Sequence, residues 1–255
     1  KASDIETDYD TVLDKESFNK WLRQLKESTY FAFDTETTSV DYMKAELVGL
    51  SFAVEPGKAA YVPIAHDYLD APEQLDRDWV LAQLKPLLES NELKKLGQNL
   101  KYDANVLSRY GIKLHNITFD TMIESYCLNS IATRHNMDAL ALKYLGYKTI
   151  HFEDIAGKGS KQLTFNQIDI EKAGPYAAED ADITLRLHQA IYPKLCKANK
   201  QLEVFETIEM PLLPVIAGME QHGVLIDCDM LDQQSSKIGA RLDELEIQAH
   251  DLAGK

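Results

Sequence analysis

Two acidic side chains, Asp34 and Glu36, stand at the end of an alternating, aromatic-rich segment. Residues two apart on an extended backbone point to the same side of a sheet, so both carboxylates face one way. Ligands of α/β proteins usually bind at the carboxyl ends of strands. Two like charges there are costly unless a cation neutralises them. The pair therefore indicates a cation site, although a polar strand end with one carboxylate capping the next turn would give the same pattern.

Two further acidic positions lie later in the chain. Asp103 follows a short apolar segment and is either a ligand or an ordinary acid in the first turn of a helix, where the helix dipole favours it. Tyr176 and Asp180 are four residues apart on a predicted helix, so the phenol and the carboxylate share one face. A surface acid beside a half-buried tyrosine is the alternative interpretation of that pair.

These positions together form a set of oxygen ligands without histidine or cysteine: Asp34, Glu36, Asp103 and Asp180. Hard carboxylate ligands favour Mg²⁺ or Mn²⁺ over zinc. Two such ions ~3.5–4 Å apart stabilise the attacking and leaving oxygens of an in-line phosphoryl transfer. The set therefore predicts a site for two divalent cations.

The hydrophobic pattern predicts the elements that position these residues. Strands are expected at 30–34, 47–54, 59–64 and 93–97, with Pro56-Gly57 turning the second into the third as a hairpin. Helices are expected at 15–25, 74–89, 102–109, 120–128, 136–145 and 175–195. Pro175 fits the first turn of the last of these, with Gly174 as its cap. Strands followed by interleaved helices predict an α/β domain with a mixed sheet flanked by helices.

The predicted elements and the charge balance of the chain change near residue 200. Two helices are expected at 202–222 and 229–253, joined by an extended link at 223–227. Residues 201–255 carry 3 Lys and Arg against 11 Asp and Glu, which is more than half of the excess behind the net charge of −14. We therefore predict one domain at 1–200, followed at 201–255 by a truncated all-α segment of a second one.

Composition excludes several classes of protein. With 45% hydrophobic and 27% charged residues, the chain of 255 residues is typical of globular proteins. Its apolar runs are shorter than the roughly 20 residues of a membrane span, and no export signal opens it. Three cysteines without a C-x-x-C pair indicate reduced thiols. A strongly acidic protein repels nucleic acid, so a basic surface that clamps phosphates is not expected.

The motifs resemble those of the DEDD exonucleases, tyrosine subclass, whose fold is ribonuclease H-like. The resemblance is specific, covers about residues 1–200, and is closest to the proofreading domains of bacterial DNA polymerases. It is carried by the segments 31–37, 97–103, 163–167 and 176–182. Residues 203–255 resemble the first helices of the polymerase domain that follows such an exonuclease.

The resemblance implies metal-dependent 3′→5′ hydrolysis of DNA, one nucleotide at a time. In the family's scheme Asp34, Glu36 and Asp180 hold one metal ion. Asp34 bridges to a second ion, which Asp103 reaches largely through water. Tyr176 and Glu36 orient the attacking water. Metal-bound water needs no separate histidine base, which agrees with the residue types present.

The resemblance also implies contacts to the terminal nucleotide. The matching positions are Val40, Gln98, Asn99, Tyr102, Arg134 and Phe152. Aromatic and amide side chains suit an unpaired strand because rings stack on any base without a basic surface. The implied partners are a single-stranded or frayed 3′ end of DNA and the remainder of a polymerase chain. No membrane partner is implied, and a monomer in the bacterial cytosol is expected.

Two residues depart from the family pattern. Pro175, directly before Tyr176, stands where an ordinary helix residue is expected, and it could shift the approach of the tyrosine to the water. Val40 is smaller than the leucine expected at its position, which weakens its wedge against the terminal base.

Three minor features receive structural interpretations. Thr121-x-x-Glu124 is predicted to be a capping box, with Asp120 at the helix start. His66 is predicted to lie in a loop, and the stretch 158–161 to form a mobile basic loop that could contact DNA.

Two alternatives remain open. An RNA-trimming exonuclease of the same superfamily would use identical metal chemistry, but the segment 203–255 would be out of place in it. A non-catalytic scaffold or DNA-end-binding domain is the other alternative, and the presence of all four carboxylates argues against it. The chain contains no polymerase catalytic motif, so nucleotide addition by it is not predicted.

Overall fold

A six-stranded mixed sheet organises the protein. The computed structural model describes residues 5–254, in two compact units of which one ends at Gly218 and the other begins at Met219. The strands are β1 (Asp8–Thr11), β2 (Tyr30–Thr37), β3 (Leu47–Glu55), β4 (Lys58–Pro63), β5 (Lys94–Gly97) and β6 (Ile117–Asp120). Their order is β1-β4-β3-β2-β5-β6. The central pairs β2–β3 and β3–β4 are antiparallel, and the outer pairs are parallel. The predicted mixed α/β sheet is confirmed.

Helices lie between the strands in the chain and follow the last of them. They are α1 (Lys15–Glu27), α2 (Arg77–Leu88), α3 (Leu100–Ser108), α4 (Thr121–Leu128), α5 (Met137–Leu140), α6 (Phe152–Ala156), α7 (Ile170–Cys196), α8 (Asn199–Val204), α9 (Met210–His222) and α10 (Cys228–Ala253). A π-helical turn extends α5 at Ala141–Leu145, and another follows α8 at Phe205–Glu209. Aspartates begin several helices, because their side chains accept hydrogen bonds from free N–H groups of the first turn, as Asp14 and Asp76 do.

The alternation of β2 assigns its residues to the two faces of the sheet. Phe31 and Phe33 pack in the large apolar core that includes residues of α1, α2 and α3. Ala32 lies on the other face, with Ala178 and Ala181 of α7. Small side chains on both elements let α7 approach the sheet closely. Polar residues that continue this alternation therefore lie either toward α3 or toward α7.

Helix α7 begins earlier than its sequence predicts. It starts at Ile170, where Asp169 caps it by accepting from the N–H of Glu171. The prediction that Pro175 occupies the first turn with Gly174 as cap is wrong, since both residues lie inside the helix. The proline removes only one helical hydrogen bond, which the packed helix tolerates. Gly174 serves a close approach instead: a Cβ there would lie 2.3 Å from Oγ1 of Thr11.

One of the minor interpretations is also corrected, whereas the placement of Asp120 at the helix start is confirmed. The helix predicted to begin with a Thr121–Glu124 capping box is capped by Asp120, whose carboxylate accepts from the N–H groups of Met122 and Ile123. Glu124 is instead buried against the Nδ1 atom of His188, at 2.6 Å.

Between residues 199 and 253 the chain is helical apart from the link at 223–227, as predicted. In α10, whose N-cap is Asp227, no side chain is buried. The assignment of 201–255 to a second domain stays a prediction. None of the helices described between residues 5 and 254 is long and apolar enough to cross a bilayer.

Candidate active site

Strand β2 and helix α7 bring three carboxylates together. Asp34 and Glu36 follow Ala32 on the face of the sheet that α7 covers, and Asp180 comes from α7 itself. One carboxylate oxygen from each of the three lies within 4.8 Å of the others. The structure thus joins three of the four predicted ligands, although the chain separates Asp180 from the other two by more than a hundred residues.

The three carboxylates fit a divalent cation. Glu36 is 9% exposed, and within the described part of the chain no hydrogen-bond donor reaches its Oε1 atom. A buried carboxylate oxygen without a partner is costly, and a cation would satisfy it. Oxygen-only ligands at this spacing suit Mg²⁺ or Mn²⁺. The residues present therefore match the group that the sequence predicts.

The fourth acid, Asp103, lies outside that group of three. It is 1% exposed at the start of α3, and its Oδ1 atom accepts from both the N–H and the hydroxyl of Thr35, at 2.9 and 2.6 Å. Thr35 points toward α3 because it alternates with Asp34 and Glu36 along β2. Asp103 is close enough to Asp34 for their charges to repel.

Burial and mutual repulsion raise the pKa of every acid in the site. Burial, followed by the charge of Asp180, raises the pKa of Asp34 to about 8. The pKa values of Glu36 and Asp103 are raised by burial first and then by Asp34. Burial and the neighbouring Glu179 raise the pKa of Asp180. Such clusters of unfavourable charge are found at functional sites and require a cation or protons.

Tyr176 and Asp180 lie one helical turn apart on α7, close enough for the phenol and the carboxylate to interact. Burial, together with the surrounding carboxylates, raises the pKa of the phenol far above its usual value. Its hydroxyl therefore keeps its proton at neutral pH and acts as a hydrogen-bonding group. Pro175 leaves this contact intact.

The aromatic surroundings of Tyr176 come from two other segments. Phe152, the first residue of α6, lies edge-on to its ring with centroids 6.3 Å apart. Phe165 lies 6.0 Å from the same ring and stacks on Phe152 at 6.4 Å. Phe152 is therefore placed beside Tyr176 by an aromatic cluster.

Three other residues predicted to contact DNA differ in how their side chains and backbone are held within the protein. Tyr102 donates to the carbonyl of Ser39 at 2.5 Å. Gln98 uses both ends of its amide within the protein, since its Nε2 donates to the carbonyl of His135 at 2.8 Å and its Oε1 accepts from Thr121. Asn99 is held in the left-handed region, at φ 64°, directly before α3.

The remaining two predicted contacts are exposed. Val40 is 94% exposed, and Arg134 lies at the surface of the loop between α4 and α5. A valine so exposed has no packing role in this structure. Both side chains are accessible to a ligand.

Sequence analysis missed the polar residues that support the site. Glu179 is 3% exposed and accepts from the hydroxyl of Tyr147 and the N–H of Ile150, at 2.6 and 2.7 Å. Its only signal in the sequence is an acid beside two alanines, which an exposed helical acid would also give.

A tyrosine–histidine pair supports Glu36 from β4. The Nδ1 atom of His66 faces the carbonyl of Ile168, so its Nε2 atom accepts from the hydroxyl of Tyr61, at 2.7 Å. The ring of Tyr61 passes over Gly49, which pairs with Glu36 across β2 and β3 and has no room for a Cβ. His66 lies in the loop after β4, as the sequence predicts, and its side chain is buried there.

Comparison with known proteins agrees with this site. Residues 9–196 match the family model described as 3′–5′ exonuclease. The chain is 58% identical over 252 residues to DNA polymerase I of Pseudomonas aeruginosa. This alignment covers 98% of the present chain and 28% of the Pseudomonas protein. It is 40% identical over 264 residues to DNA polymerase I of Rhizobium leguminosarum, covering 97% and 26% respectively. The chain thus spans little more than a quarter of the length of these relatives.

Solved structures show the same fold. The POL domain of Pol1 from M. smegmatis, in complex with DNA primer-template and dNTP, aligns over 96% of this chain and 38% of that one, with a TM-score of 0.75 and 18% identity. Brucella melitensis NrnC with bound Mg²⁺ aligns over 84% and 92%, with a TM-score of 0.59 and 18% identity.

The mixed sheet with its flanking helices is the ribonuclease H-like fold that the sequence predicts. The chain belongs to the 3′–5′ exonuclease domains of the DNA polymerase I family. The resemblance seen in the motifs is thereby confirmed.

Proposed function

We propose that this chain removes nucleotides one at a time from the 3′ end of DNA by metal-dependent hydrolysis, as the proofreading unit of a longer DNA polymerase. The observation that carries the proposal is the convergence of Asp34, Glu36 and Asp180 in a partly buried cluster. Membership of the 3′–5′ exonuclease family supports the reaction, and relatives named DNA polymerase I support DNA as the substrate.

Asp34, Glu36 and Asp180 would hold one divalent cation, Mg²⁺ or Mn²⁺. Asp103 lies on the side of Asp34 away from α7, where it would contribute to a second cation, in part through water. Divalent cations supply such sites with a more acidic water and with neutralisation of charge at the phosphate. The unpartnered Oε1 of Glu36 and the raised pKa values of all four acids support these assignments.

Tyr176 and Glu36 would orient the attacking water. The phenol of Tyr176 lies beside Asp180 and keeps its proton, so a lone pair of its oxygen is free to accept from the water. The carboxylate oxygen of Glu36 that does not hold the cation offers a second acceptor. A water that donates its two hydrogens to two fixed acceptors is held in one orientation. Its oxygen lone pair then points in one direction, toward the phosphorus that it attacks.

The terminal nucleotide would lie between exposed and aromatic side chains. Phe152 offers a ring for stacking, and Val40 an apolar wedge. Arg134 would contact a phosphate, while Asn99, Tyr102 and Gln98 would line the opposite wall. Because a matched end must first unpair, a frayed or single-stranded end is the expected substrate. The chain would act as a monomeric unit joined to a polymerase in the bacterial cytosol.

Digestion of a 5′-end-labelled single strand with Mg²⁺ tests the proposal. Stepwise shortening from the 3′ end is expected, and it should disappear with EDTA and in Asp34→Ala. Asp78→Ala is the matched control, since Asp78 is an exposed acid in the first turn of α2. Intact DNA in the presence of folded protein and Mg²⁺ would overturn the proposal. An RNA of the same sequence, digested faster than the DNA, would indicate an RNA-trimming enzyme.

A further inference from the structure

The segment 147–152, between the π-helical turn and α6, is attached to the protein through two carboxylates. Glu179 of α7 accepts from Tyr147 at 2.6 Å and from the N–H of Ile150 at 2.7 Å. Asp138 of α5 accepts from the hydroxyl of Thr149 at 2.6 Å and faces Nδ1 of His151 at 3.0 Å. Along the segment, the contacts therefore alternate, first to Glu179, then to Asp138, then to Glu179 and again to Asp138.

Glu179 is the more deeply buried of these two acids. Its exposed fraction is 3%, whereas the side chain of Asp138 is 46% exposed. Both oxygens of Glu179 are used by the segment, one by a phenol and one by a backbone N–H. Hydrogen bonds to a buried carboxylate are stronger than those to neutral acceptors. The attachment at Glu179 therefore determines the path of this part of the segment.

Tyr147, the phenol that donates to Glu179, makes a second contact with α7 through its ring. The guanidinium of Arg186 lies 5.2 Å from the centre of the Tyr147 ring. Arg186 is 7% exposed and pairs with Asp182 at 3.3 Å. One face of α7, from Glu179 to Arg186, thus holds Tyr147 by its hydroxyl and by its ring.

We propose that Glu179 is a positioning residue that holds the 147–152 segment on α7 and thereby presents Phe152 to the 3′-terminal nucleotide. The proposal rests on the proposed function and adds to it the group that fixes the stacking surface. Phe152 directly follows the attached segment and lies against Tyr176. Without Glu179 the segment loses both of its hydrogen bonds to the α7 carboxylate. Its contacts to the half-exposed Asp138 and the contact of the Tyr147 ring with Arg186 remain. The ring of Phe152 is then held less firmly against Tyr176.

Hydrogen–deuterium exchange tests the attachment without metal or DNA. In Glu179→Ala, amides of the 147–152 segment should exchange faster than in the unaltered chain, whereas those of β2 and β3 should not change. Glu179→Gln should retain most of the protection, since an amide can still accept from Ile150 and donate to the oxygen of Tyr147. Glu171→Ala is the matched control, because Glu171 is an exposed acid in the first turn of the same helix.

Kinetics on single-stranded DNA test the consequence. Glu179→Ala should raise KM about tenfold, the loss expected for one aromatic stack on a base, with a smaller change in kcat. Phe152→Ala should raise KM by a similar factor. If Glu179 acts through Phe152, the double variant should be no worse than either single one. Glu179→Gln should remain near the unaltered KM, which separates hydrogen bonding from the charge beside Asp180.

The outcomes separate this proposal from the proposed function. An unaltered chain that does not shorten DNA contradicts the function, while the exchange experiment still tests the attachment. An active chain in which Glu179→Ala leaves exchange and KM unchanged overturns the positioning role, as do additive effects of the two alanine substitutions. Should Glu179→Ala fail to fold, Tyr147→Phe removes one of the two contacts and should give a smaller change in the same direction.

Discussion

The hydroxyl and the N–H of Thr35 both donate to Oδ1 of Asp103, at 2.6 and 2.9 Å. This contact joins the middle of β2 to the first turn of α3, and it occupies one oxygen of a carboxylate that is 1% exposed. Thr35, which lies between the two acids of β2, thereby fixes the acid on the opposite side of the strand.

Replacement of Thr35 by valine should therefore destabilise the protein. Valine has nearly the same shape, so the change removes one hydrogen bond to a buried carboxyl group without creating a large cavity. We expect the free energy of unfolding to fall by about 2 kcal/mol in urea titrations without metal. Thr207→Val, at an exposed residue of the second π-helical turn, is the control. A loss as small as that of the control would show that the contact contributes nothing to stability.

Neutralising the unpartnered acid should have the opposite effect on the metal-free protein. Glu36→Gln removes a charge that burial, Asp34 and Asp180 all disfavour. At pH 8 with EDTA we expect the variant to be more stable by about 1 kcal/mol, because catalytic sites commonly sacrifice stability. Its Mn²⁺ binding, measured by calorimetry, should be lost. Glu92→Gln, at an exposed residue, should change neither quantity, and a destabilised Glu36→Gln would contradict this explanation.

The acidic cluster should make the stability of the metal-free protein depend on pH. Asp34 keeps its proton up to about pH 8 in the folded chain, whereas an unfolded aspartate loses it near the ordinary value of 3.8. The folded state therefore binds more protons in this interval, and the free energy of unfolding falls as pH rises through it. Mn²⁺ requires the ionised acids, so its affinity should rise over the same interval.

Urea titrations from pH 4 to 8 at fixed ionic strength measure this dependence. Asp34→Asn carries no titrating group at that position and should show a flatter profile, which isolates the contribution of the cluster from that of the histidines. Identical profiles for the two chains would show that Asp34 titrates at its ordinary pKa.

Part of the site follows from local sequence pattern. The alternation of residues 30–34 identifies β2, and it places Asp34 and Glu36 on one face because the period of a strand is two. The sequence pattern places Asp103 after a predicted strand and Asp180 on a predicted helix. Periodicity does not predict that either residue lies near β2 in the folded chain. The prediction that they act together with the acids of β2 came from the resemblance of the motifs. The structure supplies the geometry, in which α3 lies on one face of the sheet and α7 on the other.

The errors have identifiable causes. Pro175 gave a strong signal for a helix start, but Asp169 supplies a better cap five residues earlier. Thr121 and Glu124 fit a capping box, yet burial of Glu124 against His188 determines its role. Glu179 and His66 were not recognised because their partners, Ile150 and Ile168, lie in loops whose path no local pattern encodes.

Removal of the hydroxyl of Tyr176 should separate water orientation from metal binding. Tyr176→Phe keeps the ring that packs against Phe152 and Phe165, and it removes only the hydroxyl beside Asp180. Loss of one of two acceptors for the attacking water should lower kcat about 10- to 100-fold. Mn²⁺ affinity, measured by calorimetry, should change little, because all four carboxylates remain.

Tyr126→Phe is the matched control, since Tyr126 is 54% exposed and stacks on His135 through its ring. That variant should retain its kcat and its Mn²⁺ affinity. A Tyr176→Phe protein that loses Mn²⁺ affinity in parallel with kcat would show that the phenol holds Asp180 in place for the cation and does not orient the water. Full activity of the same protein would leave Glu36 as the group that orients the water.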